Sequence, residues 1–350
     1  MFISKSNEIK IDDESLCFVI AEVGINHNGS FKEALKYLDL VKKLGADAIK
    51  FQLFKAENLL KKGTPTAKYQ KDLTNSDDQF SLLKSLELNF EEIKSLFLKS
   101  KEINLNFVCT PFDLESLDFL MALEIPFLKL SSGDFDNIFL HKRIIEKKYP
   151  VILSTGMANE SEIKKITKEY LEGGHNNFAI LHCASLYPTP VEEINLAYIK
   201  KLKIISRAGV VGYSDHTTNK ITGALAYLQG SQIIEKHITF SNDLVGPDHK
   251  ASLNPDDFKD FVLNIRYAQK AKGEEKKTLT NEEKAVKKVA RKSLVYSQNL
   301  EEGTKIELKH LGALRPSSGL QISEFNTVLN KSLKRSVKKN EVINFSDFKN

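Results

Sequence analysis

A barrel of eight parallel strands wrapped by helices, followed by a small β-rich domain, is the architecture this sequence predicts. Three observations carry that expectation. Short β-branched or apolar runs alternate with amphipathic segments through the first two-thirds of the chain, as strands and crossover helices of a parallel sheet do. Eight such units fit into about 250 residues, the count and size of a (β/α)₈ barrel. The alternation then stops, and residues 289–350 show short β-like runs between turn signals instead.

The strand candidates are Cys17–Val23, Ala48–Phe51, Asn106–Cys109, Phe127–Leu130, Val151–Ser154, Phe178–His182, Val210–Tyr213 and Gln232–Ile238. Helix-like segments lie between them: Phe31–Leu44, Glu91–Glu102, Leu114–Ala122, Glu160–Glu172 and Asn219–Leu228. In the first of these, Ala34, Leu35, Leu38, Leu40, Val41 and Leu44 fall roughly on one face at helical spacing. A last helix is expected over Pro255–Lys270, with Pro255 suited to a first turn. An open doubly wound sheet would want Gly-x-Gly-x-x-Gly after the first strand. The turn there reads Gly24-Ile25-Asn26-His27-Asn28-Gly29, so the barrel is preferred. The expected organisation is a barrel domain over 1–272, a charged and partly helical linker over 273–288, and a β-rich domain over 289–350. In that last domain the β-like runs are Lys292–Tyr296, Lys305–Glu307 and Glu341–Ile343.

Composition narrows the function classes. The 350 residues are 41% apolar and 28% charged, as in a folded globular protein rather than a disordered one. The formal net charge of +5 suits a small anionic substrate and does not argue for nucleic acid. The sequence has no apolar run long enough for a membrane helix and no secretion signal at Met1–Asp13. Cys17, Cys109 and Cys183 are odd in number and lie in apolar runs, which suits reduced core thiols in a cytoplasmic protein.

In a barrel the C-terminal strand ends and the loops after them form the site. Here every unit turns polar at that point. Glu22 ends the first strand, Lys50 and Gln52 the second, and Thr110 the third. Lys129, Ser131, Ser132 and Asp134 follow at the fourth, Ser154 at the fifth, and His182, Cys183, Ser185 and Tyr187 at the sixth. Ser214, Asp215 and His216 end the seventh; Glu235, Lys236, His237 and then Asp248 end the eighth. Hydroxyls, backbone N–H groups and three lysines are what an anion site needs. A single strand lysine usually snorkels to solvent, but two converging on one mouth, Lys50 and Lys129, favour a ligand. His216 and His237 fall on neighbouring strands, ~4.8 Å apart, within reach of one divalent ion that keeps open positions. Each histidine alone would be read as a structural hydrogen bonder, as His27, His141, His175, His182, His249 and His310 are. In the small domain Arg315 stands in a turn bounded by Pro316 and Gly319; by itself it reads as a solvated loop residue.

Taken together, Ala21-Glu22-Val23-Gly24-Ile25-Asn26-His27-Asn28-Gly29, Lys50-Phe51-Gln52, Thr110-Pro111-Phe112, Leu153-Ser154-Thr155-Gly156-Met157, Tyr187-Pro188-Thr189-Pro190, Gly212-Tyr213-Ser214-Asp215-His216, Glu235-Lys236-His237 and Gly246-Pro247-Asp248-His249 resemble the sialic acid (nonulosonate) synthase family. Ala290-Arg291-Lys292-Ser293 and Arg315-Pro316 resemble its antifreeze-like SAF domain. The resemblance covers nearly the whole chain. It implies a transferase that condenses phosphoenolpyruvate with an N-acylated amino sugar in its open-chain aldehyde form. It implies N-acetylmannosamine as the leading sugar, with N-acetylneuraminate as product; the alternative is N,N'-diacetyllegionaminate from 2,4-diacetamido-2,4,6-trideoxymannose.

The resemblance further implies a divalent metal on His216 and His237, Mn²⁺ foremost, with Mg²⁺ or Co²⁺ as alternatives. Glu22 would be the acid–base group. Lys50, Thr110, Lys129, Ser132, Ser154 and Ser214 would grip phosphoenolpyruvate. Gln52, Asp134, Ser185, Tyr187 and Asp248 would contact the sugar. Arg315 would reach the sugar from the partner of a domain-swapped homodimer. Two departures bear on the sugar: many members have Glu at Asp134, and several have Asn at Ser185. The stretches Phe51–Ala56 and Gly246–Ser252 are similar to bacterial legionaminate synthases. Other classes compete. A Schiff-base aldolase would use Lys129 or Lys50 and no metal, and a binding module would leave the polar ring without a purpose.

Overall fold

The computed structural model describes residues 1–64 and 78–349, in two compact units, Met1–Gly273 and Glu274–Asn350. In the first, eight parallel strands close into a barrel: β1 Phe18–Gly24, β2 Ala48–Leu53, β3 Asn106–Pro111, β4 Phe127–Leu130, β5 Val151–Ser154, β6 Phe178–Cys183, β7 Val210–Asp215 and β8 Ile233–His237. β8 pairs with β7 on one side and β1 on the other, which completes the circle. Every expected strand is present; β2, β3, β6 and β7 run one or two residues further into the polar motifs than their apolar runs suggested.

Strand alternation explains why an apolar barrel ends in a polar mouth. Residues of one phase point outward into the main core against the helices, for example Val19, Ala21 and Val23 of β1 or Ile49, Phe51 and Leu53 of β2. The other phase fills the barrel interior. Its lower layers are Phe18, Ile20, Ala48, Val108, Phe127, Ile152, Ala179, Leu181, Val210 and Ile233. Continuing each series by two residues gives Glu22, Lys50, Thr110, Lys129, Ser154, Cys183 and Glu235, and by four from Val210 gives Ser214. The site is therefore the top layer of the inward series.

The helices between strands are α1 Phe31–Leu44, α2 Phe90–Glu102, α3 Leu114–Ala122, α4 Ile138–Lys147, α5 Glu160–Glu172, α6 Tyr198–Ser206, α7 Thr222–Leu228 and α8 Pro255–Lys272. Caps set their starts. Ser30 accepts from Glu33 N at α1, and Asn89 with Glu92 and Asn159 with Glu162 form capping boxes at α2 and α5. α4 and α6 escape the sequence pattern, as do the short helices Ala56–Leu59 and Gln79–Leu86 between β2 and α2. So does a two-residue antiparallel pair, Phe2–Ile3 with Lys10–Ile11. It brings Phe2 into the interior layer, edge-on to Phe127 at 5.4 Å, and fills the N-terminal end of the barrel. Among the described residues no helix is long and apolar enough to cross a membrane.

Glu274–Asn350 has its own core of Leu294, Tyr296, Ile306, Val328, Leu333 and Ile343. The charged stretch expected to be a linker carries a capped helix, α9 Asn281–Ala290, with Thr280 and Glu283 as its capping box. β9 Ser293–Tyr296 pairs antiparallel with β10 Leu311–Leu314. Lys305–Glu307 and Glu341–Ile343 contribute single bridges, Lys305 to Ser332 and Val342 to Val295, rather than strands.

One outward pair breaks the apolar pattern. Asp215 and Lys236, both 0% exposed, meet at 2.9 Å between β7, β8 and the helices. Asp215 also accepts from Thr217 N and the Thr222 hydroxyl, and the Lys236 ammonium lies 5.3 Å from the Phe261 ring. Removing one partner leaves a buried, unpaired charge, which costs about 3–5 kcal/mol. Lys236→Met should lower the unfolding free energy from urea titration by that scale, and adding Asp215→Asn should recover part of the loss; an unfolding free energy unchanged in the single variant would mean the pair carries no stability.

Candidate active site

The mouth encloses a cavity of about 390 Å³ lined from all eight strand ends. Of the residues expected there, Glu22, Lys50, Gln52, Thr110, Lys129, Ser132, Ser154, Ser185, Tyr187, Ser214, His216, His237 and Asp248 all line it. Asp134 does not. It sits in a 3₁₀ turn, where its carboxylate takes hydrogen bonds from Ser131 Oγ (2.9 Å) and Asn137 Nδ2 (3.0 Å). Arg315 belongs to the other unit, follows β10 and is exposed. Lys236, the third lysine of the strand-end ring, and Asp215 point away from the cavity because each is out of phase with its histidine neighbour.

A chain of buried charges forms the floor. Lys50 Nζ lies 2.9 Å from Glu22 Oε1 and 3.7 Å from Glu235 Oε1, and Lys129 Nζ lies 3.5 Å from the same Glu235 oxygen. Gln52 Nε2 donates to Glu22 at 3.0 Å, Ser214 Oγ to Glu235 at 3.2 Å, and Lys50 to Thr110 Oγ1 at 3.2 Å. The two carboxylates are driven apart. Burial pushes Glu22 up, with Lys50 only partly offsetting it and Glu235 adding to it. Burial acts on Glu235 too, but Lys129, Lys50 and His216 outweigh it and hold it below the usual carboxylate range. Such divergence separates a proton-holding carboxyl from a permanent anion. Burial lowers Lys129, and neighbouring Lys50 adds to that, whereas Glu22 and Glu235 raise Lys50 against its own burial.

Polar capacity remains unused in this pocket. Glu22 Oε2, Glu235 Oε2, Ser154 Oγ, Ser185 Oγ and His237 Nδ1 are buried without a hydrogen-bond partner. Buried groups left in that condition are costly and point to a polar ligand. Gly156 keeps the space open: a Cβ there would come within 2.1 Å of Ser185 Oγ and 2.7 Å of Ser132 Oγ.

The histidine rings of β7 and β8 have centroids 5.4 Å apart, with Tyr187 against His216 at 4.2 Å. His216 Nδ1 faces Ala184 O at 2.9 Å and donates there; burial lowers the ring, but Cys183 outweighs that and raises it, so Nε2 is the nitrogen open to a cation and offers its lone pair as its own proton leaves. Burial, reinforced by His216 and the surrounding lysines, pushes His237 well below the usual imidazole range, so it is neutral with a free lone pair. Two nitrogen donors of this kind fit a divalent cation. Among the described residues no cluster of three or more His, Cys, Asp or Glu is arranged as a metal site, so other positions on a bound ion would fall to water or substrate. The remaining six histidines are engaged in structural hydrogen bonds: His27 accepts from Gly29 N, His141 pairs with Tyr170 and Phe135 O, His175 with Tyr149 O, His182 with Ile194 O, His249 with Thr239, and His310 accepts from Glu307 N.

Strand-end position does not reveal the apolar lining residues Ile25, Phe54, Leu59, Leu83 and Phe112, nor the roles of two polar ones. Glu235 stands in the polar ring beside His237, and it is the counter-ion of both lysines. Cys183, read as a core thiol, is in the inward phase and lines the cavity. The inward spacing from Ala179 and Leu181 was the available signal. Burial raises the Cys183 thiol, but His216, 3.8 Å away, reverses that and draws it down to about 7. Burial drives Cys17 and Cys109 well upward. Since the thiolate is the reactive form, iodoacetamide should label Cys183 first, at a rate that rises as pH passes through about 7. Peptide mapping that finds Cys17 or Cys109 labelled as fast would contradict this.

An αβ barrel whose mouth gathers two lysines, a split carboxylate pair and two facing imidazoles is an enzyme for a small anionic substrate. Comparison with known proteins specifies it further. Residues 37–277 match the NeuB family and residues 291–349 the SAF domain. The chain is 37% identical over 328 residues to the N,N'-diacetyllegionaminic acid synthase of Campylobacter jejuni, covering 93% of this chain and 98% of that protein. It is 36% identical over 335 residues to the enzyme of the same name from Legionella pneumophila, covering 94% of each. The crystal structure of the N-acetylneuraminic acid (sialic acid) synthetase from Leptospira borgpetersenii superposes with a TM-score of 0.71 at 32% identity, covering 80% of this chain and 93% of that one. The chain belongs to the NeuB family. It is an enzyme of the phosphoenolpyruvate-dependent sialic acid (nonulosonate) synthase class, a transferase.

Proposed function

We propose that this enzyme is an N,N'-diacetyllegionaminate synthase, which joins phosphoenolpyruvate to 2,4-diacetamido-2,4,6-trideoxymannose and releases phosphate. The barrel mouth, with its paired lysines beside two facing imidazoles, supports the reaction class. The sugar is supported by similarity: both legionaminic acid synthases are nearer in sequence than the neuraminic acid synthetase. N-acetylneuraminate, the leading product expected from the strand-end motifs, becomes the second reading.

In this reading Lys50 and Lys129 take the negative charge of phosphoenolpyruvate, and Thr110, Ser132, Ser154 and Ser214 donate hydroxyl hydrogen bonds. Glu235 stays charged and keeps both ammoniums in place until the substrate arrives. Gln52, Ser185, Tyr187 and Asp248 contact the sugar; Asp134, engaged in its own turn, supports that turn instead. His216 and His237 would hold a divalent cation, Mn²⁺ foremost, with Mg²⁺ or Co²⁺ as alternatives. When bound, it supplies Lewis acidity to the aldehyde oxygen. Carbon 3 of phosphoenolpyruvate attacks the aldehyde carbon, and the aldehyde oxygen takes up a proton. Water adds at the resulting cationic carbon 2 and loses a proton, and the tetrahedral intermediate expels phosphate to leave the 2-keto group. Glu22, whose carboxyl burial pushes above the usual carboxylate range, carries the proton between water and oxygen. Lys129, though lowered, is engaged with Glu235 and Leu130 O (3.2 Å), which argues against a Schiff-base role. The proposal extends to a cytoplasmic homodimer in which Arg315, exposed in its unit, reaches the sugar in the partner's barrel.

Phosphate release with Mn²⁺ should be faster with the diacetamido trideoxy sugar than with N-acetylmannosamine; the reverse order would make the protein an N-acetylneuraminate synthase. His216→Ala and His237→Ala should each lower turnover by at least ~10²-fold, above what loss of an outer-sphere partner costs, and a chelator should do the same to the wild type. Full activity in either variant would remove the metal assignment. Arg315→Ala should raise KM for the sugar by about 10–100-fold, the scale of a lost charged hydrogen bond, with little change for phosphoenolpyruvate; equal effects on both would exclude a sugar contact.

A further inference from the structure

The cavity has a second kind of wall. On the β1–β3 side it is lined by Ile25, Phe54, Leu59, Leu83 and Phe112. These five belong to one small apolar cluster, separate from the main core and from the barrel interior. Phe54 and Phe112 meet edge to face, with centroids 6.0 Å apart at 90°. Leu59 and Leu83 are carried by the two short helices Ala56–Leu59 and Gln79–Leu86, which are tied together by Lys84 and Glu57 at 2.9 Å. None of the five side chains offers a hydrogen-bond donor or acceptor. A sugar hydroxyl placed there gives up water without replacement, whereas a methyl group gains from burial.

Position in the barrel decides which end of the sugar meets this wall. The imidazoles, where the aldehyde end reacts, are on β7 and β8. The apolar wall is carried by Ile25, Phe54 and Phe112, which directly follow β1, β2 and β3, and by the two short helices after β2, so around the barrel rim it begins at β1, next to β8, and extends away from the imidazoles. A six-carbon sugar with its aldehyde at the imidazoles and its chain laid along the cavity toward β1–β3 therefore brings its far end to Phe54, Leu59 and Leu83. We propose that this wall is the specificity element of the site, selecting sugars whose sixth carbon is a methyl group over those that carry a hydroxyl there. The inference rests on the reading of the enzyme as a synthase for a 6-deoxy sugar and names the residues that enforce it.

The test uses two sugars that differ by one hydroxyl, N-acetylmannosamine and its 6-deoxy analogue. kcat/KM for each is measured by phosphate release in the wild type, in Leu59→Ser and in the volume-conserving Leu83→Met. The ratio between the two sugars is taken on one preparation, so loss of folded protein cancels. The wild type should favour the 6-deoxy sugar by about tenfold or more, the scale of one group in an apolar pocket. Leu59→Ser should bring that ratio toward one, and Leu83→Met should keep it. A wild-type ratio near one, or a ratio unmoved by Leu59→Ser, overturns the wall as a selector. If the diacetamido trideoxy sugar still outperforms N-acetylmannosamine in that case, the functional reading stands without it; if N-acetylmannosamine is the best of the three sugars, both fall.

Discussion

Two lysines cannot remain charged beneath a barrel mouth without anions beside them, and Glu235 is the anion they share. Its Oε1 stands 3.7 Å from Lys50 and 3.5 Å from Lys129, while Glu22 takes the nearer contact to Lys50. Taking an ion out of water costs several kcal/mol even after relaxation, and the contacts among these four groups, with Thr110, Gln52 and Ser214, offset that cost. The same contacts divide the labour between the carboxylates. Because Glu235 meets both ammoniums it stays ionised, and because Glu22 faces one ammonium and a like charge it keeps a proton within reach. The acid–base character of the site follows from how the floor is neutralised.

The apolar layers below make that floor possible. Phe2, Phe18 and Phe127 close the far end, and the methyl-rich layer above them leaves no competing polar partner. Beyond Thr110 Oγ1 for Lys50 and Leu130 O for Lys129, the two ammoniums turn to the shared carboxylates and to a ligand. The orphaned oxygens of Glu22, Glu235, Ser154 and Ser185 belong to the same logic. They face the cavity because the fold has nothing else to give them, and they represent binding capacity held ready for a polar substrate.

Much of this was legible in the chain because a parallel barrel brings all strand C-termini to one face, so polar motifs scattered over more than 200 residues of sequence converge by topology alone. The strands were readable from their apolar runs, and most of the helices from their periodicity. What sequence position does not reveal is phase where a strand hands over to a loop. Asp134 lies past the end of β4, in a turn that redirects its carboxylate. Cys183 closes a strand whose preceding residues, Phe178 to Leu181, are apolar in both phases, so its inward direction was hidden. Lys236 and Asp215 stood in the polar ring but in the outward phase. β10, Leu311–Leu314, carries a glycine and half-exposed residues, which weakens the alternation that would reveal a strand. The two-residue N-terminal pair is too short to have a period at all.

The outward and inward phases also bear on how this protein can change over generations. In β7 and β8 a residue that anchors the fold and a residue that faces the cavity are sequence neighbours: Asp215 with His216, and Lys236 with His237. A one-residue insertion or deletion within either strand would exchange their directions, turning an imidazole into the helix layer and an ammonium or carboxylate into the cavity. Both the stability and the chemistry would be lost in one event. Length variation among descendants of this chain is thereby confined to the loops, and the route to a new substrate runs through substitutions such as those on the β1–β3 side, where a side chain can change without moving its neighbours out of phase.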